Sequence, residues 1–289
     1  IWTKFQLGIL GKLSQNKLDI LTKIPIISGI IKNKLKKGLG LNRARSTISG
    51  SAPLSISTIE WFRKVGIYIT NGYGMTENCA ICSQVDGRNF KKLDSVGRAQ
   101  YGAEIKIDEP SGEVLMRGPY VMDGYYKNDE LTFKTLVDGW LHTGDKGYLD
   151  IDKYLYITGR VSDSFKTSKG EFIEPLTLES YFADIQEIEE ICITGLGLAQ
   201  PIGLVQLSEI GKSTLKDELS EILESKLADI NSDLENYKKI STLVIVKDEW
   251  TEQNKILGPT LKIKRGNVEE MYSSKYILWT SNNSKIIWE

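Results

Sequence analysis

The stretch Asn71-Gly-Tyr-Gly-Met-Thr-Glu-Asn78 places two glycines, a threonine and an acid directly after a β-branched run ending at Thr70. Glycine lets a backbone pass close to a ligand. The pattern predicts a helix opening at Thr76 and running on through Asn78 and Cys79. Free N–H groups at a helix start attract phosphate, and the Thr76 hydroxyl adds a donor. Glu77 offers a hard oxygen ligand for Mg²⁺. An ordinary strand-to-helix turn with a capping threonine has the same pattern. Further on, Asp138-Gly-Trp-Leu-His-Thr-Gly-Asp145 frames a carboxylate with a glycine turn. Such an acid can accept from both hydroxyls of a ribose. His142, with no second histidine or cysteine near it, reads as a structural hydrogen-bonding residue. Arg160 on its glycine turn and the loop Lys166–Gly170 suit a nucleotide or a narrow ligand, or else a charged linker. In Gly258-Pro-Thr-Leu-Lys-Ile-Lys-Arg265 a loop presents Lys262, whose ammonium can stabilise developing negative charge. A solvated edge is the plainer reading there. Cys79 and Cys82 form a lone Cys-x-x-Cys without the four ligands zinc needs; the pair suits a redox role or, the reading we favour, buried thiols of the helix after Thr76.

These residues need elements to hold them. Leu7, Leu10, Leu13, Leu18 and Leu21 recur at helical spacing. Residues 45–48 and 65–70 read as buried strands with a helix over 56–65 between them, the order of a parallel sheet. Short strands at 103–107, 113–116 and 154–157, separated by Gly, Asp and Pro turns, predict a small β subdomain. Beyond Gly159, strands at 191–194, 202–207 and 242–247 flank an amphipathic helix carrying Leu215, Leu219, Ile222, Leu223, Leu227 and Ile230, opened by Ser213 or Thr214. The tail from Ser273 shows no clear periodicity. The fold class expected is α/β: residues 1–159 as the C-terminal part of a large domain, a parallel-sheet remnant plus a small β subdomain, then residues 160–289 as a smaller, mobile α+β domain.

Composition excludes several chemistries. The chain of 289 residues carries 37 basic and 38 acidic side chains, a net charge of −1, without the basic excess of a nucleic-acid binder. A single histidine excludes a His-pair zinc site and argues against a Ser-His triad. Three cysteines and no targeting signal point to the cytoplasm. No run of about 18 apolar residues occurs. Residues 1–45 hold ten basic residues against Asp19 alone. That segment suits peripheral contact with anionic lipid or acyl chains. It equally suits helices packed on a domain whose other half is absent, the reading we favour, since the first residue is Ile1.

In order, Ser49-Gly-Ser-Ala-Pro-Leu54, Tyr73-Gly-Met-Thr-Glu77, Gly139-Trp-Leu-His-Thr-Gly-Asp145, Gly159-Arg-Val-Ser-Asp163 and Pro259-Thr-Leu-Lys-Ile-Lys-Arg265 resemble the motifs of the adenylate-forming acyl-CoA synthetases. That superfamily includes luciferases and peptide-synthetase adenylation domains. Thr-Leu-Lys-Ile-Lys-Arg and the stretch from Cys192 to Glu209 look most like the long-chain fatty acyl-CoA ligases. The resemblance runs from about Lys34 to Tyr272.

It implies that a carboxylate attacks the α-phosphate of ATP, giving an acyl-adenylate and pyrophosphate. The small domain then rotates and the coenzyme A thiol takes the acyl group. By resemblance Gly50, Ser51 and Ala52 would line the adenine pocket with Tyr73 stacked on the base and Gly74 beside it. Thr76 would hold the α-phosphate and Glu77 the Mg²⁺. Asp145 and Arg160 would bind the ribose, Lys262 would stabilise the pentavalent phosphate, and Gly170 would flank the pantetheine tunnel. Three departures stand out. The phosphate loop ending in Lys-Gly, upstream of these motifs in the family, is not in the chain, so the fragment is expected to be inactive alone. Ser162 stands where the hinge is usually Asp or Lys. Ser-Gly-Ser replaces Ser-Gly-Gly or Ser-Gly-Ala, read as a conservative change. The alternatives are a non-catalytic nucleotide- or acyl-binding homologue, an aryl or short-chain acid ligase, or a domain that loads a carrier protein. Acyl length and oligomeric state are not legible.

Overall fold

The computed structural model describes residues 2–51, 54–80, 82–89, 91–281 and 284–289, with the side chains of Lys4 and Leu7 excepted. The chain divides into two compact units, the first ending at Ile157 and the second spanning Thr158–Glu289.

The first unit opens with three helices, α1 (Trp2–Leu10), α2 (Gln15–Lys23) and α3 (Pro25–Gly38). Pro25 stands in the first turn of α3, where its missing N–H costs nothing. Strand β1 (Thr47–Ser49) leads to α4 (Ile56–Lys64). Ser55 Oγ caps α4 by accepting from Thr58 N at 3.2 Å. Ile59, Phe62 and Val65 follow at helical spacing and are fully buried, packed with Leu18 of α2. Gly66, at φ +80°, ends the helix. The strand expected from Val65 therefore begins later, as β2 (Ile69–Tyr73).

β1 and β2 pair in parallel, with Ser49 opposite Asn71. The remainder of this sheet departs from the expectation. β3 (Ser83–Val85) and β4 (Arg98–Ala99) join antiparallel, so the sheet is mixed and its parallel part is one pair. The β subdomain comprises β5 (Glu104–Ile107), β6 (Glu113–Arg117), α5 (Asp129–Thr135), β7 (Leu136–Val137), β8 (Trp140–Leu149) and β9 (Leu155–Arg160). Its strand order is β5-β6-β8-β7, with β9 also paired to β8. Asp138 and Gly139 join β7 to β8, both at positive φ (50° and 77°), the two-residue turn that an Asp-Gly pair favours. Val114, Met116, Leu141 and Leu155 fill the core, joined by Cys82.

The second unit begins with the hairpin β10 (Phe165–Lys166) and β11 (Phe172–Ile173), then α6 (Pro175–Ser180). β12 (Ile188–Thr194), β13 (Ile202–Leu207), α7 (Glu209–Ser213), α8 (Lys216–Ser232) and β14 (Leu243–Ile245) follow. After them come α9 (Arg265–Tyr272), α10 (Tyr276–Ser281) and β15 (Ile286–Trp288). The sheet order is β12-β13-β14-β15. Alternate residues face opposite ways. Ile193, Val205 and Leu243 meet Leu219, Leu223 and Leu227 of α8, whereas Cys192, Leu204 and Val244 meet Trp250, Val268, Tyr272 and Trp279.

Two expectations need correction here. Ser208 caps the separate short helix α7, accepting from Gly211 N at 3.2 Å, and α8 starts only after Leu215. The tail beyond Ser273 is structured: α10 packs its Tyr276 and Trp279 into the core, and β15 pairs in parallel with β14.

Candidate functional site

In the first unit the candidate residues gather at the end of β2. Gly50 follows β1 and lies against the backbone of β2: a methyl group in place of its hydrogen would sit 3.2 Å from Gly72 O. Ser51 holds φ +68°. Ala52 lies outside the described residues. Tyr73 ends β2, and its hydroxyl donates to Asp145 Oδ2 at 2.5 Å. The Tyr-Gly-Met-Thr-Glu and Gly-Trp-Leu-His-Thr-Gly-Asp stretches thus meet. Burial, with Asp145 alongside, pushes the Tyr73 phenol far above its ordinary range. The hydroxyl that donates to Asp145 belongs to the residue expected to stack on a base.

Asp145 is positioned from below. Its N–H donates to Thr143 Oγ1 at 3.1 Å, and that hydroxyl donates to Val114 O at 2.7 Å. Glu113 does more, and the sequence reading missed it. One oxygen meets His142 Nδ1 at 2.9 Å and the other accepts from Gly144 N at 2.8 Å. His142 is therefore a strut of this strand, as its isolation suggested.

The helix predicted after Thr76 does not form. Thr76–Asn78 make one 3₁₀ turn, and Cys79 and Ala80 then take φ +57° and +67°. A left-handed residue cannot continue a helix, so Thr76 has no α-helix N-terminus behind it. Instead Asn78, 1% exposed, braces the turn: its Oδ1 accepts from Met75 N at 2.8 Å and its Nδ2 reaches Met116 Sδ at 3.1 Å. Thr76 is exposed. Cys79 is exposed as well and Cys82 buried, so only one of that pair is a core thiol.

Glu77 is half-buried and tied down twice. Its carbonyl accepts from Met122 N and its Oε1 from the Tyr125 hydroxyl, each at 2.8 Å. Burial and the Glu77 carboxylate raise the Tyr125 phenol. Among the described residues no group of three His, Cys, Asp or Glu could cage a metal ion. Mg²⁺ is commonly held by one or two carboxylates together with substrate phosphates. Glu77, a hard-oxygen ligand oriented by Tyr125, fits that mode.

In the second unit Arg160 is exposed at the end of β9. Gly170 stands at the tip of the β10–β11 hairpin at φ +84°, and a methyl group in place of its hydrogen would meet no atom within 4 Å. The tip is open to close approach. Lys262 sits on a second hairpin. Leu257 and Ile263 pair antiparallel, Leu261 N donates to Gly258 O, and Gly258 N donates to Lys262 O, both at 2.8 Å. Pro259 presets the turn and Leu261 takes the left-handed position, φ +60°.

The profile of the AMP-binding enzyme family matches residues 12–126. Fatty acyl-CoA synthetase B of Dictyostelium discoideum is 28% identical over 290 residues, 88% of this chain and 42% of that protein. The peroxisomal long chain acyl-CoA synthetase 6 of Arabidopsis thaliana is 30% identical over 287 residues, 86% of this chain and 40% of that protein. The structure of O-succinylbenzoate coenzyme A synthetase from Bacillus subtilis in complex with AMP aligns with a TM-score of 0.65 at 25% identity, covering 81% of this chain and 49% of that one. The chain is thus similar to AMP-binding acyl-CoA synthetases. It spans less than half the length of these relatives.

Ser51 and Leu261 both hold positive φ, a backbone conformation in which a residue with a Cβ is strained. Among the described residues no helix is long and apolar enough to cross a membrane.

Proposed function

We propose that the complete protein is an ATP-dependent acid–thiol ligase that activates a fatty acid as its acyl-adenylate and passes the acyl group to coenzyme A. The observation that carries this reading is the Tyr73–Asp145 hydrogen bond, which joins two of the superfamily's stretches from positions 72 apart. The names of the long-chain relatives support the fatty-acid class.

In the first step a carboxylate oxygen bonds to the α-phosphorus of ATP as the bond to the β-phosphate oxygen breaks, and pyrophosphate leaves with the bonding pair. In the second the coenzyme A sulfur, having lost its proton, bonds to the acyl carbon, and AMP departs. Neither step needs a protein nucleophile, so the side chains act by positioning and charge. Asp145 and Arg160 take the ribose hydroxyls; Gly50, Ser51, Ala52, Tyr73 and Gly74 bound the adenine. Thr76 donates to the α-phosphate. Glu77 would hold Mg²⁺, which neutralises phosphate charge when bound. Lys262 places its ammonium on the pentavalent phosphate in the first step only, and Gly170 leaves room for pantetheine in the second. We read the residue 160–289 segment as the mobile domain, and the cytoplasm as the compartment.

The test uses the protein with its upstream region. Fatty-acid-dependent ATP–pyrophosphate exchange is expected there and absent from the 289-residue chain alone. Lys262→Ala should abolish exchange and spare thioester formation from supplied acyl-adenylate. Equal loss of both half-reactions would remove the role given to Lys262. AMP binding without any turnover would favour a non-catalytic homologue.

A further inference from the structure

Arg160 and Lys262 lie 102 residues apart, yet each is three residues upstream of one partner in a single ion pair. Arg265 Nε donates to Asp163 Oδ2 at 3.2 Å, across the same separation of 102. Asp163 is bound to the Arg160 turn, its N–H donating to Arg160 O at 3.2 Å. Arg265 is bound to the lysine hairpin, which closes immediately before it through Lys264 N donating to Ile256 O at 2.8 Å.

The guanidinium is fixed on its other sides. Nη2 donates to both oxygens of Glu179 at 2.5 and 2.6 Å, and Nη1 donates to Ile193 O at 2.9 Å and reaches Cys192 Sγ at 3.4 Å. Glu179 Oε1 also accepts from Ile193 N at 2.8 Å. A planar fork with fixed donor directions holds all these partners in one geometry. Glu179 alone neutralises the charge, so Asp163 is surplus to that need. Arg265 also opens α9, where a cation opposes the helix dipole. Packing does not hold the Asp163 segment on this side: a cavity of about 420 Å³ lies there, lined by Ser162, Asp163, Phe165, Phe172, Thr194 and Arg265.

We infer that Arg265 is a positioning residue that, through Asp163, sets the Arg160 turn and the Lys262 hairpin in a fixed relation. This rests on the roles proposed above for Arg160 and Lys262. The pair determines where one cation stands when the other engages its ligand.

Two measurements test it, with Asp163→Asn and Arg265→Lys. Both variants keep a cation facing Glu179, so the fold is retained. In the 289-residue chain, hydrogen exchange at Gly258, Leu261 and Lys264 and over residues 160–163 should quicken about threefold to tenfold. The amides of β12 and β13 serve as an unchanged reference. No change in the hairpin overturns the inference. In the protein with its upstream region, Asp163→Asn should lower kcat for adenylation about tenfold with KM for ATP nearly unchanged. Thioester formation from supplied acyl-adenylate, a step that does not use Lys262, should be unchanged in Asp163→Asn. The same loss in both half-reactions also overturns the inference. If Lys262→Ala alone leaves adenylation intact, the reading of Lys262 fails, and hairpin exchange still decides the link to Asp163.

Discussion

The phenol of Tyr73 donates to Asp145 Oδ2 across 2.5 Å in a site that burial has made poor in water. A carboxylate there needs donors, and Tyr73 supplies one that also selects the rotamer of Asp145. A ribose bound as proposed must share or displace that donor.

Tyr73→Phe removes the donor and leaves the ring. We expect a stability loss of about 1–2 kcal/mol, read as a lower urea midpoint at constant m-value. Asp145→Asn should weaken AMP binding by about tenfold or more in calorimetric titration, and Tyr73→Phe by less. An unchanged midpoint for Tyr73→Phe would remove its bracing role.

Glu113 braces the strand that carries Asp145. Glu113→Ala leaves the Gly144 N–H without its acceptor and His142 Nδ1 without its partner. The expected cost is about 1–3 kcal/mol. Glu113→Gln keeps an acceptor and should lose less. Thermal melts of both variants check this, and equal loss would mean that charge rather than hydrogen bonding matters.

The two buried thiols should make stability depend on pH in the alkaline range. Burial pushes Cys82 up to about 11 and Cys192 up to about 12, from an ordinary 9.0. A folded pKa above the unfolded one gives stability that is complete below about pH 9 and fades as pH climbs through 11 and 12. The urea midpoint should therefore fall across that window, and Cys82→Ala with Cys192→Ala should flatten the slope. Tyr73 and Tyr276, also raised by burial, add to it above about pH 10. At pH 9 iodoacetamide should label Cys79 first, because it alone of the three is exposed. Mass spectrometry showing Cys82 or Cys192 modified as fast would contradict their burial.

The parts of the fold legible in the sequence were those set by local rules. Leu219, Leu223 and Leu227 recur every four residues and pack one face of α8. Asp138-Gly139 makes the turn its residue types favour. Local pattern failed where distant side chains decide. The turn after Tyr73 is braced by Asn78 on Met116, 38 residues away, and the helix expected there never starts. Glu113 meets His142 29 residues on, and Arg265 meets Glu179 across 86. Neither spacing carries a signal in a single sequence. Ile286–Trp288 is three residues long, too short to show a period, and becomes a strand only because β14 offers an edge. Thr76, Asp145 and Lys262 stand out in the sequence by residue type and motif, whereas the groups that hold them in place do not.

Leu261 supplies the last prediction. It holds φ +60° at the bulge position of the Lys262 hairpin and is 61% exposed. An L-residue there costs about 1–2 kcal/mol, and an exposed side chain recovers little of it by burial. Leu261→Gly removes the strain but adds unfolded-chain entropy worth about 0.5–1 kcal/mol. The expected net gain is up to about 1 kcal/mol, read as a higher urea midpoint. Leu261→Ala keeps a Cβ in the same backbone conformation and should gain nothing, which separates backbone strain from the loss of an exposed apolar side chain. A Leu261→Gly variant less stable than the parent would mean that the leucine makes a compensating contact and that this hairpin stores no strain.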